Sequence, residues 1–242
     1  MKGWALITGA ARRLGRATAI ELAGAGWDII IHYNRSEKEA RQLARTIRAL
    51  GRKARLAPLD LENAGRVRRF IPALNKKYGP LAALVNNACL FVPSRLEHNG
   101  QSHKKINLDA SRVLSETFRK QVPPHRAGVI VNMLDANPPE ANFPAYSKSK
   151  KDLQALTLKM AVRFAPAVRV NGVAPGPVLP SPRQTPRHFR KLVAATPLKT
   201  LIAPQDVAQA VRFLVESQAI TGTIIAVDGG AHLKRKKSLR TR

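Results

Sequence analysis

The sequence predicts an α/β protein built on one doubly wound parallel sheet of seven strands, with helices on both faces. Short aliphatic or β-branched runs alternate along the chain with longer segments of helical periodicity. This alternation is typical of βαβ units, whose strands are apolar on both sides because helices cover both faces of the sheet. The 242 residues, 44% of them hydrophobic, suffice for one domain with one core, which we place at residues 1–233.

The predicted strands are short and are separated by segments long enough for a helix. They are Trp4–Thr8, Asp28–Tyr33, Ala54–Ala57, Leu81–Val85, Val129–Asn132, Arg169–Gly172 and Thr223–Val227. Helices fill the gaps, and three have recognisable ends: Leu14–Ala25, Glu37–Leu50 with Ser36 as N-cap and Gly51 after it, and Pro204–Glu216. The proline-containing segment Pro175–Pro186 interrupts the alternation and is a position for a substrate lid.

The net charge is unusual, because 42 lysines and arginines face 15 acidic residues and leave +27. Such a field attracts polyanions in general. No helix-turn-helix, zinc or RNA-binding aromatic pattern accompanies the charge, so we interpret it as a solvated basic surface. Nucleic-acid binding is therefore not expected, although the charge leaves it open. Segment 234–242 has the composition of a disordered basic tail.

Cysteine content and hydropathy indicate the compartment. Cys89 is the single cysteine, so no intramolecular disulfide is possible. The first residues lack the pattern of a secretory signal, and no apolar run approaches the ~20 residues of a membrane-spanning helix. We expect a cytoplasmic protein without a membrane partner, and we predict no metal site.

A glycine-rich turn lies between the first strand and the first helix. It contains Thr8, Gly9, Arg13, Leu14 and Gly15. Glycines allow a tight turn there, and the N-terminus of the following helix presents free N–H groups to a pyrophosphate. Such a turn can be purely structural, but its place between strand and helix favours a dinucleotide site.

The end of the second strand distinguishes NADP from NAD. A site for NAD would carry an acidic residue there, whereas this chain has Tyr33, Asn34, Arg35 and Ser36. A guanidinium and a hydroxyl suit a 2′-phosphate, and Arg13 would add a second positive charge. The cofactor is therefore predicted to be NADPH/NADP, unless Arg35 is one more surface cation. After the third strand, Asp60 would hold the adenine amino group or cap the next helix.

Tyr146 and Lys150 are four residues apart at the start of a predicted helix, and thus on one helix face. An ammonium about 4 Å from a phenol would lower the phenol pKa from its usual value near ~10. Lys150 is predicted to do this for Tyr146. The spacing alone is also common among surface pairs, so its meaning depends on the other motifs.

Several motifs occur in an order that resembles the short-chain dehydrogenase/reductase family. They are the turn Thr8–Gly15, Asn86–Ala88, Asn107, Tyr146 with Lys150, Pro175–Gly176 and Asp228–Gly230. The resemblance spans Leu6 to Gly230 and implies a Rossmann fold, usually in a homotetramer. It further implies that Tyr146 is the proton donor, that Lys150 binds the nicotinamide ribose, and that Asn107 holds a water of the proton relay.

The cofactor residues expected from the motifs and the resemblance together line the ends of several strands. In addition to the residues of the glycine-rich turn and of the Tyr33–Ser36 segment, the expected cofactor residues are Asp60, Leu61, Asn87, Ala88, Tyr146, Lys150, Pro175, Gly176 and Val178.

Three departures from the family's usual pattern indicate a particular branch. Arg13 stands where the family usually has glycine, and Met133 and Leu134 occupy the positions of its usual active-site serine, with Asp135 nearby. These segments look like those of pteridine reductases and dihydromonapterin reductases. That resemblance implies that Arg13, Phe91 and Asp135 contact a pterin, together with the catalytic tyrosine. Asp135 lies closer in sequence to Tyr146 than in those enzymes, so the connecting loop must be shorter.

Each of these residues also has a structural interpretation. Asp135 could be a loop or helix cap, Phe91 a core aromatic and Arg13 a surface cation. Chemistry favours the functional interpretation of Asp135, because an ionised carboxylate accepts hydrogen bonds from ring N–H or amino groups. If it were buried and protonated, it could help to deliver a proton to a ring nitrogen.

The sequence therefore predicts NADPH-dependent reduction of a dihydropterin or a related pteridine, with Tyr146, Lys150, Asn107 and Asp135 as the catalytic group. One alternative is a ketone or 3-oxoacyl thioester reductase of the same fold, which the missing serine disfavours. Another is a non-catalytic NADP-sensing or nucleic-acid-binding protein, which the intact catalytic residues disfavour.

Overall fold

The structure, a computed structural model, describes residues 2–96, 101–124, 126–181 and 184–233. Segment 234–242, for which we expect a disordered tail, lies outside the described residues. Within them, seven strands form one parallel sheet in the order β3-β2-β1-β4-β5-β6-β7. The strands are β1 Trp4–Ile7, β2 Asp28–Tyr33, β3 Ala54–Pro58, β4 Leu81–Asn86, β5 Gly128–Met133, β6 Val168–Pro175 and β7 Ile224–Val227.

The helices connect these strands and cover the sheet. They are α1 Arg13–Gly24, α2 Glu37–Ala49, α3 Ala64–Tyr78, α4 Ala110–Gln121, α5 Pro144–Phe164, α6 Pro186–Ala194 and α7 Pro204–Glu216. The predicted doubly wound sheet of seven parallel strands is confirmed. Among the helices of the described segments, none combines the length and apolar character needed to cross a membrane.

The strand side chains divide the core into two layers. On β2, Ile29 and Ile31 pack in the layer that contains the buried faces of α1, α2 and α7, whereas Ile30 packs with α3, α4 and α5. On β1, Ile7 and Leu6 divide in the same way. Successive side chains of a strand point to opposite faces, so a sheet covered on both sides favours apolar residues at most positions of each strand.

Strand β6 is longer than predicted. We expected it to end at Gly172, but Val173 and Ala174 continue the pairing with β7. A Cβ on Gly172 would lie 2.6 Å from a methyl group of Leu134. The glycine therefore makes room for a neighbouring side chain instead of ending the strand.

Two helix starts differ from the prediction. Ser36 occupies the N-cap position of α2, but its side chain makes no capping hydrogen bond. Helix α5 begins at Pro144, two residues before Tyr146, with Phe143 at its N-cap position. Proline suits the first turn of a helix because the N–H that it lacks has no intrahelical partner there.

Candidate active site

The candidate site lies where the carboxyl ends of the strands meet. Because β1 lies between β2 and β4, the connections leave β1 and β4 in opposite directions, and a crevice forms between the ends of these strands. Open α/β sheets bind ligands in this crevice. The predicted site segments that follow β1, β2, β4, β5 and β6 all lie at this edge of the sheet.

The glycine-rich turn after β1 is fastened to the end of β4. Thr8 Oγ1 accepts hydrogen bonds from the backbone N–H groups of Asn87 and Ala88, both at 2.9 Å. The Asn87 side-chain amide donates to the backbone oxygens of Thr8 at 2.8 Å and Gly9 at 3.2 Å. A Cβ on Gly15 would lie 2.3 Å from the Gly9 oxygen, so the turn requires glycine there. The Asn87 side chain thus fixes the shape of the turn.

Helix α1 presents its N-terminus to this turn. Its N-cap residue, Arg12, makes no side-chain cap, and its first turn contains no acidic residue. Below the turn, Leu14 packs against the core. Free N–H groups at the positive end of the helix dipole favour a bound anion.

Arg13 connects the turn to the segment after β6. Its backbone adopts the left-handed region with φ 52°, where L-residues other than glycine are uncommon. The exposed guanidinium donates a hydrogen bond from Nη2 to the Leu179 carbonyl at 3.1 Å. Arg13 therefore lies across the crevice, in contrast to a cation that extends only into solvent.

The end of β2 presents the residues predicted to select NADP. Tyr33 is buried, whereas Asn34 and Arg35 are exposed and Ser36 is partly exposed at the start of α2. No carboxylate occupies this segment between β2 and α2. A guanidinium is therefore available where an NAD site would carry an acidic side chain.

The loop between β3 and α3 contains Asp60 and Leu61. Asp60 Oδ1 accepts a hydrogen bond from the Glu62 N–H at 3.0 Å, and Leu61 is buried in the core. The alternative of Asp60 as a helix cap is wrong, because the Asn63 side chain caps α3 by accepting from Arg66 N–H at 3.0 Å. An N-cap side chain accepts a hydrogen bond from the backbone N–H three positions later in the chain, and Asn63 and Arg66 have that spacing.

The end of β6 packs tightly against the end of β7. A Cβ on Gly176 would lie 2.7 Å from the Asp228 Cα, and Val178 is buried in the core. Pro175 is the last residue of β6. This backbone is therefore held in place at the site edge, as expected for a segment that faces a ligand through its main chain.

Tyr146 and Asp135 are in direct contact. The Tyr146 hydroxyl donates to Asp135 Oδ2 at 2.7 Å, so the shorter loop still brings the carboxylate to the phenol. The Lys150 ammonium donates to the Met133 carbonyl at 2.7 Å and lies 5.9 Å from the centre of the Tyr146 ring. The Asp135 Oδ1 atom accepts from the Asn137 N–H at 2.9 Å.

The predicted lowering of the Tyr146 pKa is wrong for this arrangement. Burial raises the pKa of Tyr146 well above its usual value, and the neighbouring Cys89 and Asp135 raise it further. The physical reason is the low dielectric surroundings together with a hydrogen bond that stabilises the protonated phenol. Lys150 is directed at a carbonyl oxygen and not at the phenol oxygen.

Asn107 lies in a π-helical stretch, Lys104–Asp109, immediately before α4. Its Oδ1 accepts from Leu90 N–H at 2.7 Å, and its Nδ2 donates to Leu90 O at 3.1 Å and to Ser149 Oγ at 3.0 Å. The Ser149 hydroxyl in turn donates to the Tyr146 carbonyl at 2.7 Å. Asn107 thus connects the loop after β4 with the helix that carries the tyrosine, and π-helical turns are frequent at functional sites.

Aromatic side chains surround the tyrosine, and only Phe91 among them was expected from the sequence. The rings of Phe91 and Phe143 stack with centroids 4.6 Å apart and planes inclined by 5°. Phe91 also meets the Tyr146 ring edge-on at 4.7 Å, and the buried His103 ring lies 6.2 Å from Tyr146. Phe91 is 39% exposed, so it is not a core aromatic. The position of Phe143, one helical turn before Tyr146, was the signal available in the sequence.

Comparisons with known proteins match nearly the whole chain to reductases. A family model described as enoyl-(acyl carrier protein) reductase matches residues 9–232. Pteridine reductase 1 of Leishmania tarentolae is 31% identical over 96% of this chain and 96% of its own length. A 3-oxoacyl-[acyl-carrier-protein] reductase of Synechocystis is 30% identical over 93% of this chain and 95% of its own length.

A solved structure resembles the chain in both sequence and fold. FolM alternative dihydrofolate reductase 1 from Brucella canis, complexed with NADP, superposes with a TM-score of 0.89. The two chains are 36% identical, and the match covers 98% of this chain and 97% of that chain. The resemblance therefore includes the segments that form the candidate site.

Proposed function

Since this chain belongs to the short-chain dehydrogenase/reductase family, we propose that it is an NADPH-dependent reductase of a dihydropterin or a related pteridine. The chain is an NADP-dependent oxidoreductase of that family. The pteridine is our proposal, and the contact between Asp135 and Tyr146 carries it. The similarity to pteridine reductase 1 and to FolM supports it.

The residues present fit the cofactor. The uncapped N-terminus of α1 and the tight cradle between Gly9 and Gly15 suit a pyrophosphate, because anions bind where backbone N–H groups lack partners. Arg35 and Ser36 would hold the 2′-phosphate, with Arg13 contributing charge at the turn. The bound NADPH would supply the hydride for the substrate. Lys150 would contact the nicotinamide ribose, because its ammonium has three donor hydrogens and uses one of them for the Met133 carbonyl.

Tyr146 would provide the proton. Because burial holds its pKa above the usual value, the phenol stays protonated at neutral pH, as a proton donor requires. In this arrangement the single phenolic hydrogen is directed to Asp135, so the hydroxyl must turn toward the substrate nitrogen before it transfers the proton. Asn107 would support the relay through Ser149, which links it to the Tyr146 backbone.

Asp135 favours a nitrogen heterocycle over a carbonyl substrate. A ketone oxygen needs hydrogen-bond donors, whereas a carboxylate beside the phenol offers acceptor lone pairs. The amino and ring N–H groups of a pteridine match those acceptors. Stacked Phe91 and Phe143 form a flat apolar wall beside Tyr146, which suits a planar ring, since aromatic faces prefer offset stacking.

The experiment is a comparison of substrates with the purified protein and NADPH. Initial rates of NADPH oxidation would be measured with dihydrobiopterin, dihydromonapterin, dihydrofolate and an acetoacetyl thioester. We expect the highest kcat/KM with a dihydropterin. A higher kcat/KM with the thioester would replace the pteridine proposal by a 3-oxoacyl reductase, the alternative that the similarity to the Synechocystis enzyme supports.

We also propose a single cytoplasmic domain that assembles as a homotetramer. Exposed apolar side chains on α5 and α7, namely Leu158, Val162 and Phe213, support assembly through those helix faces. Sedimentation analysis of the purified protein would test this, and a monomer at assay concentration would contradict it.

A further inference from the structure

His32 lies beneath the cofactor crevice in the middle of a set of backbone hydrogen bonds. It is the fifth residue of β2 and is only 2% exposed. Its Nδ1 accepts a hydrogen bond from the Gly9 N–H at 2.9 Å, and its Nε2 lies 3.1 Å from the Leu59 carbonyl oxygen. The His32 carbonyl accepts from the Ala10 N–H at 2.9 Å. One residue therefore contacts two segments that approach the cofactor site.

These partners determine the protonation state of the ring. A backbone N–H can only donate, so Nδ1 must be an acceptor, and a carbonyl can only accept, so Nε2 must carry the hydrogen. Burial lowers the pKa of His32 to about 4, although the Leu59 hydrogen bond and the Asp60 charge favour protonation. The ring is thus neutral at physiological pH and satisfies both partners in one tautomer.

The two contacts define the distance between two parts of the nucleotide site. Gly9 is the first glycine of the turn that would hold the pyrophosphate. Leu59 directly precedes Asp60 and Leu61, which would hold the adenine. An edge-on contact with Phe70, with ring centroids 5.7 Å apart, fixes the plane of the imidazole.

We propose that His32 is a positioning residue for NADPH. It holds the glycine-rich turn at a fixed separation from the loop Leu59–Leu61, which would bind the adenine. This inference rests on the cofactor part of the proposed function and not on the identity of the substrate. His32 itself lies below the backbone of both segments, so it acts through them.

Three substitutions separate the two contacts. His32→Leu removes both, and leaves a buried N–H and a buried carbonyl without partners. His32→Asn keeps an acceptor near the position of Nδ1, and His32→Gln keeps a donor near the position of Nε2. The control is Asn171→Leu. Asn171 lies on β6, is also fully buried, and also bridges two backbone groups, the Ile220 carbonyl and the Thr223 N–H.

The measurements are the Kd for NADPH by calorimetry, and kcat and KM for NADPH with saturating substrate. We expect His32→Leu to weaken NADPH binding by roughly 10- to 100-fold, the cost of buried groups left unpaired at the site, with kcat retained. The Asn and Gln variants should lose less, and Asn171→Leu should bind NADPH as the unaltered protein does. If His32→Leu does not fold, the NADPH affinities of the His32→Asn and His32→Gln variants test the same proposal.

Two results would overturn the inference. One is a folded His32 variant with unchanged NADPH affinity, and the other is an equal loss of affinity in Asn171→Leu, which would indicate a general loss of stability. A failure of the unaltered protein to bind NADPH would instead contradict the proposed cofactor, so the two failures are distinguishable.

Discussion

Asp135→Asn is the substitution that tests the proposed chemistry most directly. Asparagine keeps the shape of the side chain but removes the negative charge that accepts the Tyr146 hydroxyl at 2.7 Å. In the proposed complex the carboxylate also accepts at least one charge-assisted hydrogen bond from the pteridine, worth about 1.5 to 3 kcal/mol, so we expect kcat/KM toward a dihydropterin to fall by up to roughly 10- to 150-fold. Binding of NADPH should change little, because Asp135 hydrogen-bonds Tyr146 and Asn137 and not the glycine-rich turn or the Tyr33–Ser36 segment.

The same substitution should also change the pH dependence. Burial contributes most to the raised pKa of Tyr146, followed by Cys89 and then Asp135. Removing the Asp135 charge therefore lowers the Tyr146 pKa. Since the phenol must be protonated to donate, the loss of kcat/KM on the alkaline side should begin at a lower pH in the variant than in the unaltered protein.

The assay is kcat/KM for a dihydropterin as a function of pH, measured beside NADPH affinity and thermal midpoint. Asp152→Asn, an exposed carboxylate on α5 that is paired with Lys148, is the matched control for the change in charge. Unchanged efficiency together with an unchanged alkaline limb would refute the reasoning. A lower thermal midpoint of Asp135→Asn, with all substrates affected equally, would show that Asp135 only caps its loop through Asn137 N–H.

Three further predictions concern the nucleotide site and the fold. Arg35→Ala should reduce the preference for NADPH over NADH by roughly 10- to 150-fold, measured as the ratio of kcat/KM values, because one charged contact to the 2′-phosphate is lost; an unchanged ratio would mean that other residues select the phosphate. Gly15→Ala should abolish NADPH binding, because its Cβ would lie 2.3 Å from Gly9 O, whereas Gly24→Ala in the same helix has open space and should bind normally. Equal binding of NADPH by both variants would contradict the claim that the turn has no room for a side chain at Gly15. For His32, the folded pKa of about 4 lies below the unfolded value of 6.5, so its contribution to stability is complete above pH 6.5 and is lost as pH falls through about 4. The free energy of unfolding, measured by denaturant titration, should therefore decrease over this range by about 3 kcal/mol more than in His32→Leu, and parallel pH curves would contradict this.

Local sequence patterns determined most of the fold and the location of the site. Most strand positions are apolar, and this pattern predicts a sheet covered on both faces, as the two core layers around Ile29 and Ile30 show. The turn Thr8–Gly15 and the Tyr146–Lys150 pair lie within single βα or helical units. Their position at the crevice follows from the parallel topology alone, because the carboxyl ends of all parallel strands lie at the same edge of the sheet.

Only the tertiary structure decided which groups meet across different segments. The hydrogen bond between Asp135 and Tyr146, the stacking of Phe91 on Phe143 and the direction of the Lys150 ammonium depend on how separate elements pack. The sequence predicted a lowered Tyr146 pKa from the spacing to Lys150, whereas burial and Asp135 raise it. Spacing along one helix places two residues on the same face, but the dielectric surroundings and the nearest charge are set by residues that are distant in the chain, and these determine the pKa.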